Sequence, residues 1–251
     1  MPSHYLLNNL SKLIIILLLN LLPLSVYCAN ERISSFSKAK NILEKKIYAQ
    51  HRTTIYCQAD FDAQKNITLP KGFHTTKYLN RTKRIEWEHV VPAENFGRTF
   101  SAWRNGYNKC ISLQGKAYKG RRCANKVDLQ YRYMQADMYN LYPAIGAVNA
   151  MRSNYNFKML GAEKSMFGSC QMKISHHKAE PPIQARGTIA RTYLYMDATY
   201  THYTMSKAQK KLMQAWDNTY PVNAWECQRS AIIKRLQGSR NIVLENRCAM
   251  L

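Results

Sequence analysis

Acidic residues are scarce in this chain of 251 residues: 15 Asp and Glu stand against 37 Lys and Arg, which gives a formal net charge of +22. Glycine and proline are also few, at 10 and 8 residues, and this excludes a collagen-like or low-complexity chain. Because 46% of the residues are hydrophobic and only 21% are charged, wholesale disorder is excluded too. We expect a folded protein whose basic surface attracts a polyanion, with nucleic acid, anionic membrane and acidic glycan as the candidate partners.

The sequence has no apolar run of the length that a membrane-spanning helix needs, which is about 20 residues. Its longest run covers 15 residues, 13–27, follows Lys12 and contains Pro23. A run of this length suits a secretory signal, and we predict a signal peptide over 1–28 with cleavage near Cys28. A retained anchor or a lipid on Cys28 are the alternatives. The sequence therefore predicts export to the periplasm or the medium, with no membrane attachment after the signal is removed.

The chain has seven cysteines but no CxxC motif. Its one close histidine pair, His176-His177, is adjacent and not spaced for a shared metal, so a zinc site is disfavoured. An even number of cysteines in an exported protein predicts disulfides, and six can pair in 15 ways that the sequence does not separate. The six that remain after cleavage are Cys57, Cys110, Cys123, Cys170, Cys227 and Cys248.

Hydrophobic spacing predicts an α+β fold with more helix than strand. The one clear strand is RIEWEHVVP, which begins at residue 84 and ends at Pro92. The basic segment 98–127, with two cysteines, is expected to be a cross-linked loop outside the core. Helices are predicted over 35–50, over 127–143 with Pro143 closing the run, after Pro143, and in three segments near the C-terminus, the last of which is capped by Gly238.

The strand carries the densest group of functional side chains, Glu86-Trp87-Glu88-His89. Histidine can act as a general base because its pKa lies near neutrality, and a carboxylate can bind a hard divalent cation. On a regular strand Glu86 and Glu88 share one face while His89 points to the other. For Glu88 and His89 to serve one site, we expect the strand to fray or bulge before Pro92. The alternative is a surface strand with a solvated histidine.

Two asparagines follow in the segment NLYPAIGAVN, at Asn140 and Asn149. An amide oxygen suits magnesium, which keeps most of its water shell and takes few protein ligands. Taken separately, Asn140 is typical of a helix cap and Asn149 of a polar helix position. Neither residue identifies a site by itself.

Together these segments resemble the bacterial endonuclease I family of secreted and periplasmic nucleases. The matching pieces occur in the family's order over about residue 40 to the C-terminus, and the strings EWEHVVPA and YNLYPAIGAVN are highly specific. The pieces are RIEWEHVVPAENFG (84–97), MQADMYNLYPAIGAVNAMRSNYNF (134–157), RGTIARTYLYM (186–196) and WECQRSAIIKRLQGSRN (225–241).

The resemblance implies a ββα-metal motif, also called a His-Me finger, within a single nuclease domain over 29–251 whose core spans about 40–248. In that motif His89 matches the general base that deprotonates the attacking water. Glu88 and Asn149 match the two protein ligands of one magnesium ion, which manganese or calcium could replace. Asn140 falls at a position that supports the site.

The chain departs from the family pattern at the residue that holds the cleaved phosphate. Relatives often carry an arginine in a GGRKxC stretch, where this chain has GYNKC at 106–110. The role then falls to another basic residue: Lys109, Arg104, or the pair Arg121-Arg122. Relatives also usually carry Glu at Gln135 and Gly-Asp at Ala150-Met151.

The resulting hypothesis is an exported, magnesium-dependent and sequence-nonspecific endonuclease. It is expected to be a monomer that cuts DNA, and also RNA, to leave 5′-phosphates. Contacts to phosphates carry little sequence information, which suits the basic composition. One alternative is a nonenzymatic, cationic DNA-binding or uptake protein on the same scaffold. Another is a membrane-active basic protein, which the six cysteines and the dispersed charge disfavour.

Overall fold

The computed structural model describes residues 29–251, and the predicted signal peptide over 1–28 lies outside this range. The fold is α+β: helices surround three small sheets of two or three strands. Within the described range, no helix combines the length and the hydropathy that crossing a bilayer requires.

The first helix, α1 (Phe36–Ile42), begins at Ser35, whose hydroxyl accepts a hydrogen bond from the Lys38 amide at 3.2 Å. It continues into a single π-helical turn over Leu43–Ile47. Its buried face is apolar and includes Ala39 and Leu43. The helix predicted over 35–50 is confirmed.

The strand predicted from RIEWEHVVP is also confirmed, and it forms the centre of the N-terminal half. Short antiparallel strands β1 (Asp60–Phe61) and β2 (Ile67–Thr68) precede it. The central strand is β3 (Ile85–His89). Four short helices follow it: α2 (Ala93–Gly97), α3 (Ser101–Arg104), α4 (Arg121–Val127) and α5 (Leu129–Gln135).

The helix predicted to run over 127–143 is wrong in its second half. Helix α5 ends at Gln135, and residues Leu141–Ile145 form a strand, β4, that is buried along its whole length and pairs antiparallel with β3. The spacing of apolar residues was helical, but pairing with β3 buries both faces of the segment and overrides it. Pro143 is tolerated because a sheet of two strands consists of edges only.

Helix α6 (Gly146–Arg152) follows β4 directly, as the sequence predicts for the residues after Pro143. A three-stranded sheet comes next, in the order β5 (Asn156–Phe157), β7 (Lys178–Glu180), β6 (Lys173–Ser175). The chain ends in four helices: α7 (Ile183–Thr199), α8 (Lys207–Thr219), α9 (Ala224–Gln237) and α10 (Ile242–Cys248). The three predicted C-terminal helices are confirmed, and α9 ends at Gly238 with φ 80°, in the left-handed region that glycine favours.

The basic segment 98–127 is cross-linked as predicted, but it is not only a surface loop. It contains α3 and α4, and Cys110, Cys123 and Ala124 are fully buried. The disulfide Cys110–Cys123 lies in this buried part of the segment.

All six cysteines of the described range form disulfides, which confirms the prediction. The pairs are Cys57–Cys170, Cys110–Cys123 and Cys227–Cys248. They close loops of different length, with sequence separations of 113, 13 and 21 residues respectively. The first bond joins the start of the domain to the loop before β6, and the last ties α10 to α9.

The long loop predicts which disulfide contributes most to stability. In the chain-entropy description, a loop of about 100 residues stabilises by about 4.7 kcal/mol and one of about 15 residues by about 3 kcal/mol. We therefore expect Cys57→Ser/Cys170→Ser to lower the free energy of unfolding more than Cys110→Ser/Cys123→Ser, by about 1–2 kcal/mol, in urea titrations followed by circular dichroism. The reverse order would show that native contacts outweigh loop closure.

Candidate active site

A cleft of about 290 Å³ lies where β3 ends. It is lined by residues from β3, α2, α3, α4, α6 and the turns that follow β3 and α6. They are Trp87, Glu88, His89, Pro92, Ala93, Glu94, Trp103, Arg121, Asn149, Ser153 and Asn154. The structure thus brings the predicted base, both predicted metal ligands and one predicted phosphate-binding arginine to one surface.

The strand–strand–helix order of β3, β4 and α6 sets the positions of these residues. Glu86 and Glu88 lie on one face of β3, and Asn149 and Arg152 lie one turn apart on α6. Each of the two helix residues contacts one of the two glutamates. Asn149 Nδ2 donates to Glu86 Oε2 at 2.8 Å. Arg152 Nη1 donates to Glu88 Oε1 at 2.9 Å. The helix is therefore fixed across the strand by two polar contacts in register.

Glu88 is 3% exposed, and only one of its oxygens is bonded within the described residues. Oε1 accepts hydrogen bonds from the Tyr56 hydroxyl at 2.7 Å and from Arg152. Burial raises the pKa of the Glu88 carboxyl, and the Arg152 cation opposes that rise. With Oε1 held by two donors, Oε2 is left as the oxygen that can bind a cation.

Arg152 has no solvent exposure and holds the end of β3. Besides Glu88, its guanidinium donates to the carbonyl oxygens of His89 at 2.8 Å and Val90 at 2.5 Å. Its guanidinium carbon lies 4.6 Å from the centre of the Phe157 ring. One cation thus contacts three consecutive residues, the side chain of Glu88 and the backbone of His89 and Val90.

His89 is 7% exposed, and one of its ring nitrogens is committed to the backbone. Nε2 lies 2.8 Å from the carbonyl oxygen of Gln135, and a carbonyl can only accept, so Nε2 carries the proton. This leaves Nδ1 as the nitrogen with a lone pair. The ring is also fixed by Phe36, whose centre lies 4.9 Å away.

Electrostatics keeps this imidazole neutral. Burial, followed by the nearby Arg121 cation, lowers the pKa of His89 to about 3, because both disfavour the imidazolium form. A neutral ring at pH 7 can accept a proton, which is what a general base requires.

Glu88 and His89 both line the cleft, although adjacent residues on a strand point to opposite faces. The pairing of β3 with β4 is regular from Ile85↔Ile145 to His89↔Leu141, so the strand contains no bulge. The expectation of a bulge is not met, whereas the strand does end before Pro92, at His89. The cleft lies at this end, where the two neighbours can reach the same space.

Asn149 is held in one orientation by its amide nitrogen. Glu86 accepts the hydrogen bond from that nitrogen, and it also accepts one from Arg81 Nε at 2.7 Å. The described residues offer Asn149 Oδ1 no donor, so this oxygen is available to a ligand. A glycine is required at 146, the first residue of α6, because a Cβ there would lie 2.6 Å from the Arg81 carbonyl and 2.9 Å from Glu86 Oε1.

Asn140 is fully buried and does not line the cleft. Its amide makes two hydrogen bonds with the backbone of Val91: Oδ1 accepts from the amide at 2.7 Å and Nδ2 donates to the carbonyl at 2.9 Å. It therefore shapes the turn that follows His89 and does not merely cap a helix.

The structure separates the candidates for phosphate binding. Arg121 lines the cleft, and its Nε donates to the side-chain oxygen of Gln135 at 3.0 Å. Arg104 and Lys109 are exposed and do not line it: Arg104 donates to the carbonyl of Arg98 at 2.7 Å. Arg122 does not line the cleft either, so only one of the four candidates lies with the predicted metal ligands and base.

The chain is similar to known proteins over most of its length. The model of the family Endonuclease I matches residues 35–248. The chain belongs to the endonuclease I family. Its match begins just before α1 and ends with α10, so it covers nearly all of the described residues.

Several curated relatives are similar to this endonuclease I chain over most of both lengths. An extracellular deoxyribonuclease of Aeromonas hydrophila is 37% identical over 221 residues, which are 85% of this chain and 90% of the relative. A periplasmic deoxyribonuclease of the same organism is 37% identical, covering 81% and 82%. Endonuclease-1 of Buchnera aphidicola subsp. Acyrthosiphon pisum (strain APS) is 35% identical, covering 88% and 85%.

Three contacts within this candidate site of an endonuclease I family member are not predicted from the sequence. They are the ion pair of Glu88 with Arg152, the hydrogen bond of Asn149 with Glu86, and the bond from His89 to the Gln135 carbonyl. The sequence contains a signal for the first two contacts. Glu86 and Glu88 are two residues apart and share one face of a strand, and Asn149 and Arg152 are three apart and share one face of the following helix. The third is a backbone contact, and no side-chain pattern announces it.

The donor set fits one hard divalent cation. Among the described residues, no cluster of three or more His, Cys, Asp or Glu side chains could hold a metal. In the described part of the chain, the cleft oxygens that receive no donor include one from Glu88 and one from Asn149, the two predicted ligands. Magnesium accepts one or two protein oxygens and fills its remaining positions with water, so this pair suits it better than zinc.

The buried ion pair predicts a large effect on stability. Arg152→Met leaves the Glu88 carboxylate unpaired in a buried site, and we expect the free energy of unfolding to fall by about 3–5 kcal/mol. The control is Lys210→Met, which breaks a half-exposed pair with Asp197 at 2.8 Å and should cost less than about 1 kcal/mol. Urea titrations of both variants give the comparison. Equal losses would contradict the central role of Arg152.

Proposed function

We propose that this protein is an exported, magnesium-dependent endonuclease that hydrolyses phosphodiester bonds of DNA, and also of RNA, without sequence specificity. The observation that supports it most directly is the single cleft lined by His89, Glu88, Asn149 and Arg121 in a member of the endonuclease I family. The names of the relatives, extracellular and periplasmic deoxyribonucleases, support both the substrate and the location outside the cytoplasm.

Within this proposal, β3, β4 and α6 form the ββα-metal motif. Glu88 Oε2 and Asn149 Oδ1 hold one magnesium ion, for which manganese or calcium can substitute. Glu86 keeps the Asn149 amide oriented, and Asn140 keeps the turn after His89 in place. When bound, the cation supplies positive charge near the phosphate and the leaving oxygen.

His89 supplies the base. With Nε2 protonated and bound to the Gln135 carbonyl, Nδ1 takes a proton from the attacking water. The ring is neutral at pH 7, so Nδ1 has a lone pair, and the hydrogen bond to the Gln135 carbonyl opposes the lowering of its pKa by burial and Arg121. The backbone acceptor then stabilises the ring after it has gained the proton.

Arg121 binds the phosphate that is cleaved. It is the one arginine or lysine in the lining of the cleft, and a guanidinium can donate two hydrogen bonds to one phosphate. Arg104 and Lys109 then contribute to binding the strand outside the cleft and do not contact the reacting phosphate. The excess of 37 basic over 15 acidic residues supports backbone binding by a monomer. The products carry 5′-phosphates.

The base can be tested by plasmid nicking. We expect His89→Ala to lower the nicking rate by about 10²–10⁴-fold, the usual effect of losing a general base, while DNA binding stays within about twofold. The control is His176→Ala, which removes an exposed histidine outside the cleft and should nick at the wild-type rate. Normal nicking by His89→Ala would refute the assignment. Binding without nicking by the wild-type protein would favour the nonenzymatic alternative.

The metal ligands can be tested by titration. We expect EDTA to abolish nicking and added magnesium to restore it. Asn149→Ala should raise the magnesium concentration for half-maximal rate by about 10-fold or more, because one of two protein ligands is lost. Asn154→Ala, on the same cleft but outside the proposed ligand pair, is the matched control and should leave that concentration nearly unchanged. Undiminished cleavage in EDTA would rule out the magnesium site.

A further inference from the structure

A second and larger cavity, of about 530 Å³, adjoins the cleft. Arg121 lines both cavities, and Gln135, whose carbonyl binds His89, lines the larger one. We call this cavity the arginine pocket. Its lining is Ser34, Ser35, Phe36, Ser37, Arg121, Arg122, Asn125, Arg132 and Gln135.

The arginine pocket contains three guanidinium groups and no carboxylate. Among the described residues, Arg121, Arg122 and Arg132 form no ion pair, whereas the buried Arg152 and Arg191 each pair with a glutamate. Three neighbouring cations without a counter-charge repel one another. Such a set is favourable where a polyanion completes it.

Arg132 adds an independent observation. Its Nε is buried and has no hydrogen-bond partner in the described part of the chain. An unsatisfied donor on a cation is costly, and Arg152 Nε in the core is in the same state. The serines and Asn125 around it offer further neutral donors.

The wall between the arginine pocket and the cleft also carries positive charge. Phe36 lies against His89 on the cleft side, and its ring centre is 5.4 Å from the Arg121 guanidinium carbon and 4.7 Å from Lys40 Nζ. A nucleic-acid strand whose phosphate contacts Arg121 in the cleft therefore meets further cations on the side of the arginine pocket.

We propose that the arginine pocket is a second phosphate subsite, which binds a backbone phosphate of a nucleotide flanking the one held in the cleft. This inference rests on the proposed function for the register of the strand. The inference goes beyond the proposed function by assigning Arg122 and Arg132 to substrate binding. It also places the flanking strand on the side of α1 and α5.

Binding of a fluorescent single-stranded 12-mer, measured by anisotropy in EDTA, tests the subsite without cleavage. Each phosphate contact contributes about 0.7 to the slope of log affinity against log salt for single strands. We expect Arg122→Met/Arg132→Met to lower that slope by about 0.7, the contribution of the one phosphate held there, and to weaken binding roughly tenfold at 0.15 M salt. Arg122→Lys/Arg132→Lys should restore most of the slope, because the charges remain.

The matched control, Lys211→Met/Arg235→Met, removes two exposed charges that line neither cavity and should change the slope much less. Equal changes in the two double variants would overturn the proposal, since the charge would then act from the whole surface. An unchanged slope in the pocket variant would overturn it as well. Unfolding midpoints confirm that each variant folds, and single Arg122→Met, an exposed position, gives the same test with half the effect. Because no cleavage is measured, failure of the nuclease proposal is detected separately, in the nicking assay.

Discussion

The candidate site depends on one buried cation. Arg152 pairs with the Glu88 carboxylate and binds the carbonyl oxygens of the next two residues, so it determines where β3 ends and how its last side chains are presented. Removal of such a group from water is costly, and its several acceptors offset that cost. A second buried arginine, Arg229, does the same for the start of β4 by binding the carbonyls of Met138 and Leu141. Because His89 pairs with Leu141, these two fixed ends lie side by side at the same end of the β3–β4 sheet.

The cleft combines opposite electrostatic requirements within a short distance. A carboxylate must remain charged to attract a metal, and an adjacent imidazole must remain neutral to accept a proton. Arg152 and Tyr56 stabilise the charge on Glu88, whereas burial and Arg121 keep His89 neutral. Glu88 and His89 project from opposite faces of β3, so each side chain has its own surroundings. This separation suits a site that pairs a base with a cation.

The sequence predicts the residues of the site better than the elements that hold them. The strand with Glu88 and His89, the disulfide-bonded cysteines and the C-terminal helices follow from local pattern and family resemblance. The strand β4 does not, because Leu141–Ile145 reads as helix until β3 is placed beside it. The separation of Arg121 from Arg104 and Lys109 is likewise a result of tertiary packing. Local spacing cannot show which basic side chain of a long segment lines the cleft.

The partner of His89 is a peptide carbonyl and not a side chain. Every amino acid supplies such an oxygen, so exchange of Gln135 for another residue cannot delete the acceptor, provided that α5 still ends there. The orientation of the imidazole is thus insulated from point substitution at that position, while the side chain is free to vary in how it holds Arg121. A substitution at residue 135 would therefore change the contact with Arg121 and leave the contact with His89 in place.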